Sequence, residues 1–412
     1  MKIGILGAGI TGLSIGKLLA DKHDVEILEK SPVYGGIART KTIKGVSYHT
    51  TGGHCFNSKH NEVLDFVFNK VMPKEQWHRI ERDSVIKFNE YEVNYPIEFS
   101  IKQIFGFDNK LAFNIVKDFI NTEDDSTYTN LEIWFRKKFG NTLAEKYFLP
   151  YNRKIWNKEP REMSPEWVEG KLPFPDKESF FEALMEPKSD KMPHSYFYYP
   201  NTNNQNTFID NLAKGLKINY NTEIYSIFYN KTTNKWIVND LYYYDKIIST
   251  LPLNVLPKLI SNCPESIITS ASKLKYNKVS TMLWESKPTN RTWTYLPEAD
   301  TIFHRYIHIG SFFKPKKNYT ITEVVGEKSY DEMVEFGNKD QFLVKPLDYH
   351  VSDHAYVVFD DNYKSNKEII TKYLDCIGIH SIGRFGEWEY YNMDICIKSA
   401  INLSSQIINN LK

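Results

Sequence analysis

Lys2-Ile3-Gly4-Ile5-Leu6-Gly7-Ala8-Gly9-Ile10-Thr11-Gly12-Leu13 is the stretch whose reading decides the fold. Lys2–Leu6 is a short apolar run of the kind buried on both faces of a parallel sheet. It leads into a GxGxxG and then into Leu13–Leu19, which has helical spacing. Glycines at Gly7, Gly9 and Gly12 let backbone N–H groups approach a pyrophosphate at the positive end of a helix. Val25–Glu29 reads as a second strand, and Glu29 stands about 20 residues past the glycines, where a carboxylate binds a ribose hydroxyl. GxGxxG alone is a weak signal. Strand, glycine turn, helix, strand and terminal acid in one unit is a strong signal for a dinucleotide site.

Working outward, 412 residues exceed the usual single-domain size, so two or three interlocked domains are expected. With 52 basic and 51 acidic residues the net charge is +1, which excludes a general nucleic-acid-binding surface and leaves any anion to a local site. The 27 tyrosines suit a surface that holds a partly polar ligand. Cys55, Cys263, Cys376 and Cys396 show no paired spacing, so neither a disulfide framework nor a metal site is indicated, and a cytoplasmic location is expected. Met1–Ala20 is broken by glycines and followed by the acid-rich Asp21–Glu29, which reads as buried strand and helix rather than an export or membrane-inserting segment.

After Glu29 comes Gly35-Gly36-Ile37-Ala38-Arg39-Thr40. A Glu followed by GGxxRT resembles the flavin-containing amine oxidase superfamily, in which protoporphyrinogen-oxidase-like enzymes also fall. The resemblance implies FAD, with Gly35, Gly36 and Arg39 continuing the cradle. Thr222-Glu223-Ile224 opens an alternating stretch through Val238, and Asp245–Pro252 resembles a late strand of the same domain. Gly383-Arg384 precedes a closing helix over Asp394–Leu411, placing Gly383, Arg384, Asn392 and Met393 as cofactor contacts beside Ile224.

Within that superfamily the chain resembles the UDP-galactopyranose mutases, more in their eukaryotic pattern. Thr51-Gly52-Gly53-His54 is similar to their GGH loop, whose histidine lies against the flavin. Tyr95-Pro96 is similar to the turn that flanks the uracil. Pro150-Tyr151-Asn152-Arg153-Lys154-Ile155-Trp156 resembles PYNxKxW of the nucleotide pocket. Tyr295, Arg305 and Tyr356 fall where the diphosphate is held, and Gly383–Asp394 resembles GRxGxWxY, with Tyr390 and Asn392 serving substrate.

The resemblance implies that reduced flavin attacks the anomeric carbon through N5 and that the sugar recloses as a furanose. His54, Arg305, Arg384 and Lys171 would be the catalytic side chains, and NADPH or NADH the reductant. An arginine offers a phosphate a bidentate fork, tyrosines add donors without charge, and aromatic planes give the base a wall. Two positions depart from the pattern, besides the minor departure of Asn57, where many bacterial members have a second histidine. Lys171 stands where the family has a second arginine, keeping the charge without the fork. Glu98 replaces a glutamine beside the Tyr95-Pro96 turn. A carboxylate cannot donate to a uracil carbonyl, although it could accept from an exocyclic amine, so the base stays open. Shared flavin motifs also leave an amine oxidase or protoporphyrinogen-oxidase-like oxidoreductase as the alternative.

The expected fold is α/β. A discontinuous Rossmann-like FAD-binding domain spans 1–60, 200–255 and 376–412, with a mainly helical insertion at 61–170 that carries a hairpin over Ser84–Tyr95. A mobile linker or lid is expected at 171–199, and an antiparallel substrate sheet at 275–358. The helical insertion offers a contact surface for a homo-oligomer, whose existence the sequence leaves open.

Overall fold

In the computed structural model the described residues are 1–88, 90–122, 127–166, 168, 175–185 and 195–409. Strand β1 (Lys2–Leu6) lies at the centre of a five-stranded parallel sheet. It pairs with β2 (Asp24–Leu28) on one side and Lys246–Ser249 on the other, with Lys217–Asn219 and His380–Ser381 outermost. Ile3, Ile5 and Leu6 are fully buried, as an apolar run between two covered faces requires. Helix α1 (Ile10–Leu19) follows and packs against the closing helix Met393–Asn409. The sheet thus draws its strands from both ends of the chain and its middle.

A second sheet has seven strands, in the order Leu343–Val357, Tyr276–Ser286, Tyr319–Val325, Arg305–Ile307, Trp293–Tyr295, Ser84–Phe88 and Tyr91–Asn94. The hairpin expected within the helical insertion therefore forms the edge of this sheet, with Ser84–Phe88 parallel to Trp293–Tyr295. Its turn includes Asn89, outside the described residues. Phe303–Phe312, a candidate strand of that sheet by its sequence pattern, is not one strand. After Arg305–Ile307 the chain turns at Ile309–Phe312, where a Cβ on Gly310 would stand 1.9 Å from the Lys317 carbonyl oxygen.

Within the insertion the sequence has helical patterns over Ile101–Phe119 and Leu131–Phe148, and both are more broken than their periodicity suggests. Ile101–Phe119 splits into Ile101–Phe105 and Asn109–Ile120, because the Asp108 side chain caps the second helix by accepting from Leu111 N at 2.8 Å. Leu131–Phe139 ends at Gly140, whose φ is 80°. A wide π turn, Ala144–Phe148, then leads into Leu149–Trp156, the helix bearing the PYNRKIW residues. Phe119 on Phe180 (3.9 Å) and Phe139 on Phe148 (4.2 Å) fill this layer; burying one such ring contributes about 1.5–3 kcal/mol.

Two segments depart from the sequence reading. Residues 222–226 form no strand; the Asn239 side chain satisfies them, accepting from Tyr225 N at 2.9 Å and donating to Glu223 O at 2.7 Å. The alternation resumes only at Ile227–Asn230, paired with Lys235–Val238. Inside 171–199 the described residues include a helix, Lys177–Met185, where a linker was expected. Among the described residues, no helix is long and apolar enough to cross a membrane.

Candidate active site

Three glycine turns, far apart in sequence, meet at the first turn of α1. Gly9 is its N-cap, and a Cβ there would meet nothing within 4 Å, so the space above the helix start is open. Gly12 is the opposite case: a Cβ would stand 2.0 Å from the Gly7 carbonyl oxygen. Gly35 N donates to Ala8 O at 2.8 Å, which ties Gly35-Gly36 onto the first loop. Gly383, with φ 87°, abuts Thr11; a Cβ there would fall 2.4 Å from the Thr11 hydroxyl.

Glu29 is buried, and its carboxylate accepts from Ala8 N and Ser31 N, each at 2.8 Å. Each oxygen keeps a second lone pair, so the locked carboxylate can still take ribose hydroxyls. The open space over Gly9 and this carboxylate fit a dinucleotide. Arg39 donates to Val33 O at 3.3 Å, Ile224 packs against the core, and Met393 begins the closing helix with Asn392 exposed before it.

The loop Thr51–His54 crosses from this cradle to the second sheet. A Cβ on Gly52 would stand 3.2 Å from Arg305 Nη2, and one on Gly53 would touch Ile307 and Trp293. Burial, reinforced by Arg384 and Arg305, lowers the His54 imidazole to about 4, so it is neutral near pH 7. His54 Nε2 has no hydrogen-bond partner among the described residues, and neither does Arg384 Nε. An orphaned acceptor and an orphaned donor at a buried junction are what a bound group would satisfy.

Arg305 is already paired. Its Nη2 donates to Glu323 Oε1 at 2.8 Å and to the Tyr356 hydroxyl at 2.7 Å, and that hydroxyl donates to Glu323 Oε1 at 2.9 Å. Glu323 is fully buried. Burial alone would raise its pKa, but Arg305, His304 and Tyr356 outweigh it and hold the carboxyl at about 2. His304 Nε2 lies 3.1 Å from the same oxygen. The sequence reading missed Glu323, although a lone acid inside the apolar strand Tyr319–Val325 is a legible signal of a buried pair.

Beside this pair stands an aromatic wall. Tyr356 and Tyr390 stack at 5.8 Å, and Trp156 meets both edge-on at 6.1 Å. The Arg384 guanidinium lies 4.6 Å from the Tyr390 ring and donates to Ala355 O at 2.7 Å. Trp388, fully buried at φ 53°, shapes the turn that carries Arg384, a backbone region costly for a bulky residue.

Asn152 is engaged within its own helix, donating to Phe148 O and accepting from Trp156 Nε1. Lys154 holds the Tyr295 segment in place by donating to Leu296 O and Glu298 O at 2.8 and 2.6 Å.

A second arginine was also missed. Arg82 donates to the Tyr295 hydroxyl at 2.6 Å and to Ser84 Oγ at 3.1 Å, and packs over Tyr95 and Trp293. Among the described residues it has no carboxylate partner within ion-pair distance. Tyr95 lies 4.8 Å from Tyr295, and Tyr295 meets Tyr151 edge-on at 5.7 Å. Glu98 is buried just beyond Tyr95. Lys171 lies outside the described residues. The remaining predicted positions Arg305, Arg384, His54, Tyr356, Tyr390, Trp156, Tyr295, Tyr151 and Tyr95 form one connected cluster.

Residues 5–69 match the family of NAD(P)-binding Rossmann-like domains. UDP-galactopyranose mutase of Mycoplasma genitalium is 26% identical over 164 residues, 37% of this chain and 39% of that protein. dTDP-fucopyranose mutase of Escherichia coli is 25% identical over 178 residues, 42% of this chain and 46% of that protein. The matches thus span less than half the length of these curated relatives. A crystal structure of reduced UDP-galactopyranose mutase superposes with a TM-score of 0.86 at 21% identity, over 99% of this chain and 94% of that one. A protein of Exiguobacterium sp. 255-15, provisionally assigned as a protoporphyrinogen oxidase, reaches 0.75 at 14% identity, over 98% of each chain. The chain has the fold of UDP-galactopyranose mutase, opening with a Rossmann-like dinucleotide-binding domain.

Proposed function

We propose that this protein is a sugar-nucleotide mutase that interconverts the pyranose and furanose forms of UDP-galactose, or of a related nucleotide sugar, on a bound and reduced FAD. The observation that carries the reading is the convergence of Arg305, Tyr356, Tyr390, Trp156 and Arg384 beside the glycine cradle, around unpartnered nitrogens on His54 and Arg384. The mutase names among its relatives, and the shared fold, support the same reading.

When bound and reduced, FAD supplies the nucleophile for the anomeric carbon of the sugar. The chain's own residues do the rest. Gly9 leaves room for the pyrophosphate, Gly35 and Gly36 pack the second glycine turn against the first, and Glu29 would orient the ribose. Arg384 Nε and His54 Nε2 have no hydrogen-bond partner among the described residues, so the first could donate to a cofactor ring and the second accept from it.

The nucleoside diphosphate must leave and return, so it has to be held while detached. Arg305, Tyr356 and Tyr295 would hold it. Arg305 shares its charge with Glu323, so Arg82, which has no acid partner among the described residues, would supplement it. No residue is required as a strong general base; the neutral His54 gives its one N–H to the Thr51 backbone and presents Nε2 as a hydrogen-bond acceptor beside the ring. A His54→Ala protein that turns over normally when reduced would remove that role.

The test is to incubate the purified protein with UDP-galactofuranose, with and without dithionite, and separate the sugar nucleotides by chromatography. Conversion to the pyranose only after reduction supports the reading. No conversion, with peroxide formed from amines or porphyrinogens, would assign the protein to the oxidases instead.

A further inference from the structure

Gln205 and His49 are fully buried polar side chains that the proposed mechanism does not use. Gln205 precedes the helix Asn206–Ala213 and lies between Asn204 and Asn206. The side-chain carbonyls of those two residues accept from Thr40 Oγ1 at 2.6 Å and Thr40 N at 2.9 Å, which ties the segment to the end of the Gly35–Thr40 turn. Gln205 Nε2 lies 3.8 Å from Sδ of Met393, where the closing helix begins. The Gln205 backbone N–H donates to the Tyr199 hydroxyl, and that hydroxyl lies 3.1 Å from His49 Nε2. The His49 ring meets His54 edge-on at 5.8 Å. The pair is therefore bounded by the second glycine turn, the start of the closing helix and the Thr51–His54 loop.

Among the described residues, neither Gln205 Oε1 nor His49 Nδ1 has a hydrogen-bond partner. The Tyr199 hydroxyl already accepts from the Gln205 backbone, and it places its single proton by donating to His49 Nε2. Burial, reinforced by His54, keeps the His49 imidazole neutral, so its own proton sits on Nδ1. One acceptor, Gln205 Oε1, and one donor, His49 Nδ1–H, are left unmet. Folds rarely leave such groups without a partner in the interior.

We infer that Gln205 and His49, joined through Tyr199, contact the cofactor ring, with Gln205 accepting from a ring N–H and His49 donating to a ring carbonyl. This rests on the reading of the cradle as an FAD site, and it assigns two residues which that reading leaves without a role. The imide edge of a flavin, an N–H between two carbonyls, complements an acceptor and a donor. A pyrophosphate does not, because its oxygens only accept and would face Gln205 Oε1 unfavourably. The competing occupant is a buried water, which can also bridge the two groups.

The experiment separates ring from water with 3-methyl-FAD, which differs from FAD in carrying a methyl in place of the one N–H of the oxidised ring. Full-length protein freed of flavin would be titrated with both cofactors, as wild type and as Gln205→Met and Gln205→Leu. The midpoint potential of the FAD complex would be measured for wild type, His49→Phe and His49→Asn.

Wild type should prefer FAD to 3-methyl-FAD. Both Gln205 variants should bind FAD roughly 3- to 10-fold more weakly, the worth of one hydrogen bond, and should lose most of that preference. His49→Phe should make the midpoint potential more negative, since a donor at a carbonyl favours the electron-rich reduced ring, and His49→Asn, which keeps an N–H, should recover part of the shift. An equal preference for FAD in wild type and in either folded Gln205 variant overturns the inference and gives the site to water, with the mutase reading left standing. No preference in wild type, or an unchanged potential in His49→Phe, overturns it as well. Failure of wild type to bind FAD at all would remove the cofactor reading and this inference together.

Discussion

The glycine cradle at α1 and the tyrosine-lined face around Arg305 solve similar tasks with different materials. The cradle uses backbone: positions without side chains, one locked carboxylate and a helix start. The opposite face uses side chains from distant strands, held by a buried ion pair and stacked rings. A backbone site is fixed once its strand and helix form. A side-chain site depends on charges compensated inside the fold, so its residues govern stability as well as ligand binding. Substitutions on the two sides should therefore fail in different ways.

The largest effect is expected on the side-chain face. Glu323→Gln leaves Arg305 buried beside a neutral partner, and breaking a buried pair costs about 3–5 kcal/mol, read as a lower urea midpoint. Replacing both partners, Arg305→Met with Glu323→Gln, should recover part of that loss. If the double variant is as unstable as the single one, the pair is not what holds this face.

Next come two glycines that separate folding from binding within the cradle. Gly12→Ala forces a methyl against the Gly7 carbonyl and should cost about 1–3 kcal/mol of stability in thermal melts. Gly9→Ala meets open space, so the cofactor-free protein should melt within about 0.5 kcal/mol of wild type while retaining less flavin after dialysis. Equal destabilisation by both would break the comparison.

The shallowest effect is with pH. Glu323 and Glu26 are held at about 2 in the fold, against an ordinary 4.5, by Arg305 in one case and chiefly by Lys217, Asn219 and Tyr244 in the other. A depressed folded pKa gives stability that is fully present above about 4.5 and is lost as the pH falls through about 2. Acid titration of stability should show this loss, and Glu26→Gln should remove part of it without affecting the site.

The same contrast explains what was legible in the sequence. The cradle is nearly contiguous, and its strand, glycines and acid occupy one unit, so β1, α1, β2 and Glu29 are readable from spacing. Tyr356, Tyr390 and Arg384 were reached through motif resemblance, and their stacking follows only from the fold. Arg82 carries no local signal; its partner Tyr295 is 213 residues away, joined to it because the hairpin becomes an edge of the second sheet. The break at residues 222–226 was hidden because one side chain, Asn239, replaces a ladder of backbone bonds. Glu98 was visible as a substitution, but its charge state depends on burial, which no spacing reports.

The most direct test of the central claim counts product molecules per reducing equivalent. The protein would be reduced once with a stoichiometric amount of dithionite in a sealed anaerobic cell, then given excess UDP-galactofuranose. A site that uses flavin without net redox change predicts many pyranose molecules formed per electron pair, with the flavin spectrum still reduced at the end. One product or fewer per electron pair, with reoxidation of the flavin, would contradict the account and place the chain with the oxidoreductases.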